Sequence, residues 1–268
     1  MTNALVGIRA HNKDNDYTTN NKCEKLIFKI NIYYMNNYIG VDISLNSTAV
    51  FIQNGDNCNI LSFTNKKDNN IYIKELDHNG VKFFFLENDN KESYSKSEIL
   101  KLKNYDKLSD SIISQIKNHI NTSEKTFCQI EGYSYSSRNT SSLLDIVSLS
   151  TLIRVKLLNN INDIDISIIS PSTLKLETCK LVYKPINIGK KKPKYEYRNN
   201  QGVSGGSMKK PDMFRAILEG NINTPIYDMM KNYIHLIDRD KIPNPIEDIT
   251  DATFACKLKI KEIENVNR

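Results

Sequence analysis

The chain is poor in the features that mark secreted, membrane-spanning or zinc-binding proteins. Its 268 residues include five cysteines, Cys23, Cys58, Cys128, Cys179 and Cys256, scattered and with no CxxC pair. An odd, dispersed set offers neither a disulfide framework nor zinc-ligand spacing, and it fits reduced thiols in an intracellular protein. Long apolar runs are missing as well. Even Val81-Lys82-Phe83-Phe84-Phe85-Leu86 is far too short to cross a bilayer, so no membrane partner is expected. No secretory signal is visible, and Asp14, Asp16 and Glu24 argue against an acid-poor transit peptide. The expectation is a soluble, intracellular protein. Histidine is scarce at four residues, and His119 and His235 read as surface or packing residues.

The charge that is present is unevenly spread. Ten basic residues lie between Lys180 and Arg215, opposed only by Glu196 and Asp212. They give this segment +8 of a net +6 and leave −2 for the rest of the chain. Lys190, Lys191 and Lys192 form its densest run, and Lys209 and Lys210 its far end. One basic segment on a near-neutral body suits contact with a polyanion, and a solvated lysine-rich loop fits the same composition. Tyr183, Tyr195 and Tyr197 interleave with the lysines, a mixture suited to backbone contact plus base stacking.

Periodicity predicts an α/β fold with one mixed central sheet flanked by helices. Residues 1–36 read as a flexible, Asn- and Lys-rich extension, and 37–263 as a single domain with a basic insertion at about 180–206. Short strand-like runs cover Tyr38–Ser44, Thr48–Gln53, Ile60–Thr64, Ile71–Leu76 and Val81–Leu86, with Asn54-Gly55 and Asp77–Gly80 as turns. Helical spacing of apolar residues covers 97–120 and 139–158, on either side of a strand at 126–131. A strand at Ile164–Ile169 leads to a helical turn at Ser170-Pro171-Ser172. Residues 180–206 show no period, a helix is expected from about 208 to 219, and a last helix opens with Asn244 as N-cap, Pro245 at N1 and Glu247 completing a capping box.

Four acids stand out against these elements. Asp42 interrupts the apolar run Tyr38–Ile43, and Gly40 before it leaves the backbone open to close approach. Glu131 ends the strand Thr126–Ile130, although alone it reads as a strand-to-loop boundary acid. Asp248 and Asp251, three residues apart, share one face of the last helix, where Ala252, Phe254 and Ala255 indicate packing. A carboxylate beside apolar surface is costly unless it is paired or binds a cation. Four such acids are candidate ligands for paired magnesium ions, with manganese as a substitute, of the kind that hydrolyse phosphodiesters.

Tyr38-Ile39-Gly40-Val41-Asp42-Ile43-Ser44 resembles the first strand of RuvC-type Holliday-junction resolvases, within the RNase H-like superfamily. Ile130-Glu131-Gly132-Tyr133, followed by Ser137-Arg138-Asn139-Thr140 and a long helix, is similar to that family's second acidic motif. Ser170–Lys175 resembles its lysine-bearing segment, Gly205–Met213 its Gly-then-Lys approach to a helix, and Asn244–Ala252 its closing DxxDA helix. The resemblance spans about 37–260 and is strongest to divergent phage and viral members. It implies an RNase H-like fold, a homodimer and magnesium-dependent cutting of four-way DNA junctions. Asp42, Glu131, Asp248 and Asp251 would be the catalytic acids and metal ligands. Lys175 and Lys210 would approach the phosphates, with Arg138 in the neighbouring motif, and Tyr133 or Tyr135 would stack at the junction.

The N-terminal extension, the enlarged 54–96 region and the 180–206 insertion depart from the family pattern. They leave junction, flap and fork DNA open as substrates. Two other readings compete. Gly40–Thr48 also fits the first phosphate loop of an actin or sugar-kinase type ATPase, though no second Asp-x-Gly loop or adenosine motif accompanies it. A branched-DNA-binding protein without catalysis is the other.

Overall fold

Strand β1 (Asn36–Asp42) is buried along its length from Asn37 to Val41, and its alternation feeds two separate cores. Ile39 and Val41 point into one, and Tyr38 into the other. A run that is apolar on both faces belongs in the middle of a sheet. The computed structural model, which describes residues 36–65, 71–86, 93–133, 140–190, 192–235 and 242–266, places it there.

The remaining strands of the main sheet are β2 (Ser47–Asn54), β3 (Asn57–Thr64), β4 (Val81–Phe85), β5 (Lys125–Glu131) and β6 (Ile164–Ile169). Their order is β4-β3-β2-β1-β5-β6. β2 pairs antiparallel with both β1 and β3, whereas β1, β5 and β6 pair in parallel, as do β3 and β4. Helices α1 (Ile71–His78), α2 (Tyr94–Lys117), α3 (Thr140–Asn160), α4 (Pro171–Val182), α5 (Lys210–Glu219), α6 (Tyr227–Asn232) and α7 (Asn244–Val266) complete the domain. Leu108, Ile112 and Ile116 of α2 and Leu149, Ile153 and Leu157 of α3 pack against Ile39, Val41, Val50 and Ile130. On the other face α7, backed by α4 and α5, covers Tyr38, Phe51 and Phe127. This is the expected fold class, a mixed sheet flanked by helices. Among the described residues no helix is long and apolar enough to cross a membrane.

Four expectations need correction. Ile71–Leu76 is helical, not a strand. β3 and β4 are parallel, and parallel neighbours need a crossover of roughly a dozen residues or more, which α1 helps to supply. Ile73 and Leu76, three apart, are its buried pair. Residues 180–206 are not aperiodic loop: β7 (Pro185–Asn187) and β8 (Tyr195–Tyr197) form a separate antiparallel hairpin, whose strands are too short to show a period. Asp42 is the last residue of β1, which ends two residues before the expected Ser44. Helix α7 starts at Asn244, with the N–H groups of Ile246 and Glu247 donating to the Pro243 carbonyl at 3.0 and 3.1 Å, so the cap falls one residue earlier than expected. Apart from Asn36, which begins β1, the expected N-terminal extension lies outside the described residues.

The contact that positions the functional end of the sheet is between β1 and α7. A Cβ on Gly40 would lie 2.0 Å from the Ala252 carbonyl oxygen and 2.5 Å from the Cys256 nitrogen. The open space above Gly40 is therefore filled by the helix backbone and is not left for substrate. Gly40→Ala should force α7 off the sheet and lower stability in urea unfolding by about 1–3 kcal/mol or more. An unchanged midpoint would show that α7 can move without cost.

Candidate active site

Two strands and one helix bring the acids together. The parallel register runs Gly40↔Gln129 and Val41↔Ile130, so Asp42 and Glu131 end β1 and β5 side by side. Both fall on the face covered by α7, in alternation with Tyr38 and Phe127. Asp251 precedes the Ala252 that presses on Gly40, and the helix thereby carries it over the same strand ends. Carboxylate oxygens of Asp42, Glu131 and Asp251 all lie within 4.8 Å of one another. Asp248 stands one turn earlier on α7, only 6% exposed. Its Oδ2 is buried with no hydrogen-bond partner, and the nearby Ser47 hydroxyl, acting on the same carboxyl, pulls its pKa down against that burial.

Crowding of like charges out of water changes the protonation of the whole group. Burial, then the charges of Glu131, Asp248 and Asp251, hold Asp42 well above the usual carboxylate range. It also shares a hydrogen bond with Glu131, an arrangement that favours a proton held between the two. Burial likewise raises Glu131, with that bond and the ammonium groups of Lys175 and Lys210 acting in the opposite direction. Asp251 is raised well above its ordinary value by burial and by Glu131 and Asp248. Asp248 is pushed up to about 7, chiefly by burial.

Such a cluster is unfavourable as four bare anions and favourable around a cation. The donors are all oxygen, with no histidine or thiol among them, which suits a hard divalent ion rather than zinc. The unpartnered Oδ2 of Asp248 is the additional polar atom a cation or its bound water would satisfy. Asp42, Glu131 and Asp251 could hold the ion directly, with Asp248 behind them.

The expected basic residues fall into two groups. Lys175, half-buried on α4, and Lys210, at the start of α5, act electrostatically on both Glu131 and Asp251. Lys210 is also ion-paired with Glu247 of α7. Lys209 is exposed beside it, and its backbone N–H donates to Asp212 at 2.8 Å. Lys190 and Lys192 are exposed in the β7–β8 loop. Tyr133 follows Glu131 at the end of β5, and the Arg154 guanidinium lies 5.0 Å from its ring centre. Tyr135, Arg138 and Lys191 lie outside the described residues. His119 is engaged by Lys82 at 2.7 Å and by the Gln115 carbonyl at 2.6 Å, a packing role as expected. Sequence reasoning missed Ser47 and Glu247. Only the position of Ser47 at the start of the strand paired with β1 could have singled it out.

The chain is thus an α/β protein whose carboxylates gather at the carboxyl ends of two central parallel strands beneath a covering helix. No family model matches the sequence, and no curated protein matches it. Among solved structures, it is similar to the yeast mitochondrial Holliday junction resolvase Ydc2, at 9% identity and a TM-score of 0.44 over 91% of this chain and 89% of that one. It is also similar to RuvC of Thermus thermophilus in complex with Holliday junction substrate, at 4% identity and a TM-score of 0.39, covering 82% of this chain and 90% of that one. A further structure of Thermus thermophilus RuvC aligns at 8% identity and a TM-score of 0.37, covering 82% and 92%. Likeness at this level assigns no residue a role.

The protonation pattern has a measurable sign. A carboxyl whose folded pKa is raised binds more protons folded than unfolded, so its contribution to stability falls as pH rises. For Asp248 the window runs from the ordinary carboxylate value to about 7. The metal-free protein should lose melting temperature over that window, and Asp251→Asn should restore part of it. Added magnesium should raise the melting temperature more at pH 8 than at pH 5. A magnesium effect that is the same at both would contradict the site.

Proposed function

We propose that this protein is a metal-dependent, structure-specific DNA endonuclease that cuts four-way junctions or related branched DNA. The observation that carries this reading is the convergence of the Asp42, Glu131 and Asp251 carboxylates, from three elements far apart in sequence, to within 4.8 Å. These residues, with Asp248, would hold paired magnesium ions, and manganese would replace magnesium at the same oxygen donors. Bound there, the ions supply an activated water and a charge clamp on the leaving oxygen of an in-line phosphodiester displacement. The remaining work falls to the chain's own groups. Lys175 and Lys210 act electrostatically on Glu131 and Asp251 and would meet the charge of a scissile phosphate. Lys209 extends the basic rim at the start of α5, and Tyr133 presents a ring beside the strand end that carries Glu131.

Resolving a four-way junction takes two cuts, so the working unit is taken as a homodimer with one site in each subunit. Residues 37–263 form the nuclease domain in this reading, and 1–36 are an addition to it. The ATPase alternative gains no support at Gly202–Gly206: Gly205 is pressed against Leu176 and Cys179 of α4 and serves packing instead of opening a nucleotide cleft.

The test is cleavage of a labelled synthetic four-way junction by the full chain with magnesium. Asp42→Asn should slow cutting by on the order of a hundredfold or more while junction binding persists. Cutting by Asp42→Asn at the wild-type rate would refute the assignment. ATP hydrolysis by the wild type without any DNA cleavage would refute the class.

A further inference from the structure

The β7–β8 hairpin stands apart from the acidic cluster and is built unlike a solvated lysine loop. Its tip is closed by specific contacts. The Ile188 N–H donates to the Lys194 carbonyl at 2.7 Å. The Asn187 side-chain oxygen accepts from the N–H groups of Gly189 and Lys194 at 3.0 and 3.1 Å. A Cβ on Gly189 would come 1.9 Å from the Lys192 carbonyl oxygen, so the turn is as tight as glycine permits. The lysines are thus presented on a defined scaffold.

The base of the hairpin is anchored as firmly. Arg198 holds Glu196 through two nitrogens at 2.8 and 2.9 Å. Buried Asn199 donates to Asp212 at 2.9 Å, and the same carboxylate caps α5 through the Lys209 N–H. Tyr183, just before the hairpin, donates to Glu219 at 2.6 Å. The hairpin is therefore tied to α5, the helix that brings Lys210 to the acids.

Its exposed surface mixes charge with uncovered apolar groups. Between 184 and 198 the sequence has six basic residues and one acid. Tyr195 is 66% exposed, Ile186 46% and Ile188 38%. The pairing Asn187↔Tyr195 puts Tyr195 on the face opposite Ile186 and Ile188, so each side of the hairpin carries an exposed apolar group. Lysines alone would serve a paired duplex, whose bases are stacked inside. An exposed ring and two isoleucines flanked by lysines fit nucleic acid whose base faces are uncovered.

We propose that this hairpin is a second DNA-binding element that inserts where base pairs are open, as at a branch point. Lys184, Lys190, Lys192 and Lys194 contact phosphates, while Tyr195 on one face and Ile186 and Ile188 on the other meet unpaired bases. The inference rests on the nuclease reading for its substrate and adds to it the recognition of an open branch.

The experiment measures anisotropy of the full chain carrying Asp42→Asn, with a labelled four-way junction and a fully paired duplex of equal length. Tyr195→Ala should weaken junction binding about tenfold and leave duplex binding nearly unchanged, and Tyr195→Phe should retain the affinity, because stacking needs only the ring. The triple change Lys190→Ala, Lys192→Ala and Lys194→Ala should weaken both and reduce the slope of log affinity against log salt by about three. Equal losses on junction and duplex from Tyr195→Ala would make the hairpin a plain duplex clamp and overturn the proposal. So would an unchanged salt slope. If the wild type cuts the junction and hairpin variants in that background bind and cut normally, the hairpin proposal alone fails. Junction binding that depends on Tyr195, without cutting by the wild type, supports the hairpin role and removes the nuclease reading. A wild type that binds no branched DNA removes both.

Discussion

Everything at the functional end of this molecule depends on how closely α7 lies on β1. The helix backbone occupies the space where any side chain at position 40 would project. That approach places Asp251 over the strand ends where Asp42 and Glu131 stand, and it leaves Asp248 buried behind them. Main-chain hydrogen bonds of the sheet fix the first two acids relative to each other, and the glycine contact fixes the third. Three rigid elements thus determine a carboxylate spacing that no single loop has to maintain.

The same approach makes the cluster costly. Acids that would be ionised in water are held in a region that favours their neutral forms, and Asp42 is hydrogen-bonded to Glu131. The surrounding core offsets that cost: Tyr38, Phe51, Phe127 and Phe254 on this side, and the isoleucines and leucines of α2 and α3 on the other. Lys175 and Lys210 relieve part of the repulsion without burying a full ion pair for every acid. The site is therefore held at a higher electrostatic energy than its surroundings, which is the condition in which a divalent cation gains most by binding.

Much of this was legible in the sequence, for identifiable reasons. Asp42, Glu131 and Asp251 stood out because each interrupts or borders apolar residues, and burial makes such positions rare without a partner. The long helices showed through the spacing of Leu108, Ile112 and Ile116 and of Leu149, Ile153 and Leu157. What failed was short or depended on distant pairing. Ile71–Leu76 has the composition of a strand, and only its place between two parallel strands makes it a helix. The three-residue strands of the β7–β8 hairpin are too short for any period to be read. Gly40 was noticed, but what fills the space above it lies more than two hundred residues away in the sequence. Ser47 and Glu247 gave no signal, because a serine opening a strand and a glutamate opening a helix are ordinary.

The order of these pieces along the chain has its own consequence. The first acid arrives with the first strand, the second midway, and the last two only with the final described helix. A polypeptide emerging from the ribosome would expose its central strands and its basic hairpin before α7 had been made. Until then the chain lacks half of these carboxylates, so the acidic cluster is complete only once the final described helix has docked.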